Sequence, residues 1–431
     1  MLAQLVLATA FAVALQGCST SEPFRDDAAG WQQRFRADFP NKDKTAAARD
    51  LTVIAARWPD RISQYSDVEI AYLFNGGGYT PAEPQVQFDL LRQLYAAHWT
   101  WRCGVQPSPF WLKFVELLVD RGDLKLARDV VRLIRGSRDV LILRVDKRYA
   151  TIAAADPSFP TVEQAAIQNI DAARAAVQRC PRRMSETVRL LQAMLVAGHD
   201  DDVLEVAAEC LDRLARNPHS YDDATLYLNS LLDERASAFV ALGRWTEAEQ
   251  AYGLAVRVNE YGRPNVSQRL NFADFLIRMG RVNDTESDLA AAKFAVNFQT
   301  DRFQGVSQYG ALVFAQVKLQ EALRLNDHAA EELTFAYIKK HRETSHSLYR
   351  YALLLTHRTD EYARALIADL RDPLRRADTL VGLQNYKDLP KPPGSIDLGP
   401  ETKAAMQRPE VQQAIREVGS IQSFDVFDAY W

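Results

Sequence analysis

Histidine and cysteine are the side chains best suited to catalysis and metal binding, and the chain holds seven and four of them. His341 and His346 are five residues apart. On a helix that spacing points the imidazoles away from each other, whereas zinc-binding helices use a spacing of four. The pair is expected to be a solvated helix end. His199-Asp200-Asp201-Asp202 is acidic enough for a cation, but it opens an apolar helical stripe. Aspartates there cap free N–H groups and complement the helix dipole. Asn75-Gly76-Gly77-Gly78-Tyr79 has the glycines of a phosphate loop without a helix behind it. No Walker lysine, GxSxG, HExxH or SxxK is present. No catalytic residue, metal site or cofactor is therefore assigned, and the chain is not expected to be an enzyme.

The cysteines form no CxxC pair. Cys210 lies in an apolar stripe with Val203, Val206, Ala207, Leu211 and Leu214, the place of a buried free thiol. Cys103 and Cys180 each stand at a helix end, before Gly104 and Pro181, and are a possible disulfide. Sequence alone does not assign connectivity. The aromatic cluster His98, Trp99, Trp101, Phe110 and Trp111 has two readings: a sugar-stacking surface, or filling for the seam between helix pairs.

Cys18 follows the apolar run 2–15, which at ~14 residues is shorter than the ~20 needed to span a bilayer and suits a secretory signal. Leu15-Gln16-Gly17-Cys18 resembles the lipobox of bacterial lipoproteins, although no Lys or Arg precedes the run. The resemblance implies cleavage before Cys18 and lipidation of its thiol and new amino group, a stable anchor because several acyl chains are attached. Ser19 in the next position favours the outer membrane. Residues 1–17 are thus expected to be a signal peptide and 18–30 a tether.

These residues need elements to hold them. Apolar residues make up 47% and charged residues 25%, as in globular proteins. Lys and Arg total 52 against 56 for Asp and Glu, a net charge of −4 that gives no reason to expect nucleic-acid binding. The apolar period is helical almost throughout; 140–145 is the best strand candidate. Within 232–258 an apolar helix carrying Ala236 and Phe239 ends at Leu242-Gly243, and Trp245, Ala248, Tyr252 and Ala255 follow. This resembles the tetratricopeptide repeat (TPR), a helix-turn-helix unit of ~34 residues. Glu260 stands where the family has a closing proline. Weaker units surround Gly122, Gly198 and Gly280, and two further hairpins turn at Asn326-Asp327 and near Arg358.

The expected fold is all-α: a right-handed α-solenoid of stacked antiparallel hairpins over 110–372. Helical caps are expected at 31–109 and 373–431, with a Pro-rich linker at 389–400 and a last helix at 402–418. In the resembled family the first helix of each unit lines a groove for extended peptides. The corresponding positions here are Asp233, Ser237, Asp274, Arg278, Gln316, Gln320 and Arg324. The function expected is that of a lipid-anchored scaffold facing the periplasm, with envelope proteins or extended peptides as partners and no nucleic acid. The alternatives are a glycan- or small-ligand-binding lipoprotein of a nutrient-uptake system and an envelope hydrolase without a recognisable motif. The aromatic tail Phe424, Phe427, Tyr430 and Trp431 is expected to pack on the last hairpin, the alternative being a docking element for a partner.

Overall fold

The computed structural model describes residues 25–39, 43–74, 82–154, 156–258, 265–293, 296–298, 302–303 and 306–427. Cys18, the apolar run before it, the 75–79 loop, Glu260, Tyr430 and Trp431 lie outside them. The described chain is an all-helical solenoid of 22 α-helices; a two-residue antiparallel ladder, Val296–Asn297 with Arg302–Phe303, is its one sheet. It divides into two compact units at Arg135, not at residue 110 as expected.

The first unit holds α1 (Ala28–Asp38), α2 (Lys44–Arg57), α3 (Asp67–Phe74), α4 (Pro84–Ala96), α5 (Ser108–Asp120) and α6 (Leu124–Val131). The hairpin α5–α6 belongs here because Phe110, Trp111 and Phe114 pack onto α3, α4 and the loop after α4. Phe110 meets Phe74, Trp99 and Trp101 edge-to-face, and Trp111 meets Tyr95. Trp99, Phe110 and Trp111 of the aromatic cluster are thus interior packing, while Trp101 is half-buried and His98 exposed.

The second unit begins with α7 (Ser137–Val145), α8 (Lys147–Ala154), α9 (Val162–Arg179), α10 (Met184–Ala197), α11 (Asp200–Arg216), α12 (Ala224–Ala241), α13 (Trp245–Arg257), α14 (Val266–Arg278) and α15 (Glu286–Lys293). It continues with α16 (Gln308–Leu325), α17 (His328–Lys340), α18 (His346–Leu355), α19 (Thr359–Arg371), α20 (Arg376–Val381), α21 (Gly399–Met406) and α22 (Pro409–Val418). The strand candidate 140–145 is helical. Val140, Leu141, Ile142, Leu143 and Val145 are all buried, so no exposed face remains to display a period.

The hairpins share one turn. α10, α12 and α14 end at Gly198, Gly243 and Gly280, each with φ between 67° and 79°. Asn326 and His357, both at φ 54°, take the same place after α16 and α18. In every case the next N–H reaches back to a carbonyl five residues earlier, as from Arg244 to Phe239 at 2.8 Å and from Arg358 to Leu353 at 2.8 Å. This left-handed closure satisfies carbonyls that the helix end leaves free.

First helices of successive hairpins pack side by side, α10 on α12, α14 on α16 and α16 on α18, and form the inner layer. α10 accordingly buries eleven of its fourteen residues, while α11 buries four of seventeen. The TPR-like residues Ala236, Phe239, Ala248 and Tyr252 join Phe275 and Leu276 of α14 in one apolar cluster. Thr285, which stands where that pattern has an alanine, is buried with its hydroxyl bonded to the Val282 carbonyl at 2.7 Å.

The array closes on itself. α20 packs against α7, and Arg138 of α7 pairs with Asp378 of α20. α20 is pinned to α18 and α19 through Asp369, 1% exposed, which binds His346 Nδ1 at 3.1 Å, Arg375 Nε at 3.1 Å and the Arg350 guanidinium. The region beyond Asp372, expected to cover the end of the array, joins it to its beginning. From Asn385 the chain then follows one rim of this ring. Pro390 lies against Gly243. Gly394 donates to the Arg278 carbonyl at 2.7 Å beside Gly280. Glu401 reaches His357 (3.3 Å), and Gly419 bridges to Asp146. Asp425 N–H donates to Glu163 Oε1 (3.1 Å), and Phe427 N–H to the Val196 carbonyl (3.0 Å).

The stretch from Asn385 to Ser423, with 18 residues helical, reaches ~95 Å at ~1.5 Å per helical and ~3.3 Å per extended residue. Eight helices at ~8–10 Å spacing need ~65–80 Å, so one circuit fits. Phe424 and Phe427 of the aromatic tail therefore do not pack on the last hairpin: Phe424 lies tilted beside Tyr386, and Phe427 sits on Gly198 of the α10–α11 turn. The single helix expected over 402–418 is two, because Pro409 lacks an N–H and forces Arg408 into an extended conformation (ψ 134°).

Candidate functional site

Polar side chains link the inner helices one to the next. Gln192 of α10 donates to Glu234 of α12 at 2.7 Å. Asn271 of α14 donates to Asp233 of α12 at 3.0 Å, and Gln320 of α16 donates to Asp274 of α14 at 2.8 Å. Asp274 also pairs with Arg278, one turn on, at 3.2 Å. Each step sets a carboxylate against a carboxamide. Asp233 and Glu234 are consecutive, so their side chains diverge by about 100° on the helix. One points forward along the array and the other back.

Burial dominates the electrostatics. Asp233 is 4% exposed and Glu234 is 7% exposed. Desolvation pushes Asp233 up to about 6, with the Asn271 bond pulling the other way. It pushes Glu234 up to about 8, helped by the charge of Asp233 and opposed by Gln192. Tyr252 of α13 and Tyr351 of α18 complete the cluster. Burial, with Asp233 next, raises the Tyr252 hydroxyl above its ordinary range, and Ser237 hydrogen-bonds it. Burial and the Asp274 charge push Tyr351 up to about 12, with Arg278 acting against them.

Of the seven positions named from sequence, Asp233, Ser237, Asp274, Arg278 and Gln320 meet in this cluster. Gln320 is 3% exposed, so it holds helices together and offers no free surface. Gln316, one turn earlier on α16, is half-buried; Arg324, at the end of α16, is exposed and lies outside the cluster. Sequence reasoning missed Gln192, Glu234, Asn271, Tyr252 as a polar member, and Tyr351. Glu234 was the most visible, an acid beside Asp233 in an otherwise apolar helix.

The other chemical candidates separate. His341 Nδ1 meets Gln308 at 2.9 Å, while His346 is committed to Asp369. His199 binds Asp202 at 3.0 Å in the first turn of α11. Among the described residues no group of three or more His, Cys, Asp or Glu could hold a metal ion. Cys103 and Cys180 are both disulfide-bonded, and Cys210 is a buried free thiol raised by desolvation. No described helix is long and apolar enough to cross a membrane.

The carboxylates and carboxamides of this cluster satisfy one another across neighbouring helices and so hold the first helices in register. No protein-family model matches the chain, and no curated protein matches it. Among solved structures the chain is similar to a circular tandem repeat protein with novel repeat topology and enhanced subunit contact surfaces. The identity is 11%, over 90% of this chain and 75% of that one, with a TM-score of 0.13. At that score the likeness adds nothing to the fold described above.

Proposed function

We propose that the protein is a lipid-anchored scaffold of the bacterial cell envelope whose second unit holds partner proteins by extended segments laid along the inner helices. The observation that supports this reading is the row of half-buried polar side chains Gln192, Ser237, Asn271, Asp274, Arg278 and Gln316 along four neighbouring first helices, held in place by the buried bonds of Glu234, Asp233 and Gln320. A row of partly accessible polar groups spread over four helices favours a polymer over a compact small ligand. The buried packing of Trp99, Phe110 and Trp111 removes the main support for a sugar-stacking surface. The anchor rests on the Leu15–Cys18 sequence, and Ser19 after it favours the outer membrane, facing the periplasm.

The reading is tested by affinity capture from solubilised envelopes, comparing the parent with Ser237→Arg and Gln316→Arg. Both sites are half-buried on the inner helices, and each change puts a bulky cation on the groove face. A set of proteins captured by the parent and lost with both variants, at unchanged melting temperature, supports the scaffold. Identical capture by all three rejects this face as the binding surface.

A further inference from the structure

The ring has one joint unlike the rest. Every other pair of neighbouring inner helices is joined through the chain between them. α7 and α20 meet without such a link, and their direct polar contact, Arg138 with Asp378, is solvent-exposed and hence weak. The rim segment is wedged into this joint at Gly419. A Cβ there would lie 2.5 Å from the Val145 carbonyl oxygen on the α7 side and 2.9 Å from both Leu380 methyls on the α20 side. The backbone at Gly419 is extended (φ −169°), so the requirement is for room and not for a glycine conformation.

Its neighbours tie the two sides together. Ser420 N–H donates to the Val145 carbonyl at 3.1 Å, Gln384 Nε2 donates to the Ser420 carbonyl at 3.2 Å, and Lys147 donates to the Arg416 carbonyl. The segment is then fastened to its own start. Asn385 N–H donates to Gln422 O (2.9 Å), Phe424 N–H to Asn385 O (2.8 Å) and Lys387 N–H to Val426 O (3.0 Å). Phe427 forms the far clasp: a Cβ on Gly198 would come within 2.6 Å of its ring.

We infer that the α7–α20 joint is the gate of the ring, and that the rim segment 385–427 is the latch that keeps it shut. A closed ring admits a long chain only through its ends; opening at one joint lets an extended segment enter sideways onto the inner face. The use of the gate for loading partner segments rests on the proposed function, but its existence does not. This joint is the place where the ring can open without unfolding a connecting segment, because only non-covalent contacts and the hydrogen bonds of the rim hold its two sides together.

Hydrogen exchange read by mass spectrometry on the full chain, without any partner, tests the gate. Gly419→Val forces the joint apart, and Phe427→Ala loosens the clasp without touching it. In Phe427→Ala, exchange in 137–145, 376–381 and 420–427 should rise at least tenfold while 225–278 is unchanged. Gly419→Val should do the same more strongly. Unchanged exchange at 137–145 and 376–381 in both variants overturns the proposal, as does a uniform rise across 137–427 in both. If Gly419→Val alone rises uniformly, Phe427→Ala decides. A gate that opens while envelope capture fails would leave the gate standing and reject the scaffold reading; capture with no local opening would do the reverse.

Discussion

Gln320 on α16 donates its carboxamide hydrogen to Asp274 on α14, 46 residues earlier, at 2.8 Å, and is itself almost wholly buried. Removing it leaves Asp274 with Arg278 as its remaining named partner. Gln320→Ala should destabilise the second unit by ~1.5–3 kcal/mol, the usual contribution of a hydrogen bond to a charged group. Asp274→Asn should cost less, because a carboxamide oxygen still accepts from Gln320. Chemical denaturation of both variants checks the order.

Burial of Glu234 gives the second unit a pH dependence. Its folded pKa, about 8, lies above the ordinary glutamate value, and that of Asp233 is about 6. The folded state therefore holds protons that the unfolded chain has released. The stabilisation is complete below pH ~4 and is lost as pH rises through 6 and then 8. Each proton contributes a slope of up to ~1.4 kcal/mol per pH unit. Glu234→Gln should flatten the curve between pH 5 and 8; an unchanged slope in denaturation measurements would show that Glu234 does not hold its proton.

Ala248 is fully buried where α12 and α13 meet and belongs to the cluster that reaches Phe275 on α14. Ala248→Leu should overpack that contact at ~1–3 kcal/mol. Ala241, on the same hairpin, is itself buried and cannot serve as a control. Gln250, exposed on the same α13, serves instead. Gln250→Leu should melt like the parent, while Ala248→Leu should speed hydrogen exchange in 225–278 first.

The turns were legible because their chemistry is local. A left-handed helix end favours glycine or asparagine, and Gly198, Gly243, Gly280 and Asn326 could be read directly. His357 shows why the turn near Arg358 was visible only as a break in the apolar pattern. Asp233, Ser237, Asp274, Arg278 and Gln320 could be placed on one face by helical spacing. Their partners could not: Gln192 and Glu234 are 42 residues apart, and nothing in either segment names the other. The ring was invisible for the same reason at longer range. Gly419 meets Val145 across more than 270 residues, and a glycine chosen for room looks like any other glycine.

The proposed lipidation of Cys18 has its own test. Cys18→Ser should abolish labelling by a fatty-acid analogue and move the protein from the membrane to the soluble fraction. Full labelling of the serine variant would remove the anchor and the localisation with it.

The inner helices of the second unit are proposed to hold extended segments of partner proteins. A photo-activated cross-linking residue placed at Ser237 or Gln316 tests it most directly, with Gln250 on the outer layer as reference. The account predicts adducts in envelopes from Ser237 and Gln316 to the same short stretches of a partner, none from Gln250, and loss of both in Asp274→Lys. Adducts from Gln250 alone, or equal adducts from all three positions, would contradict it.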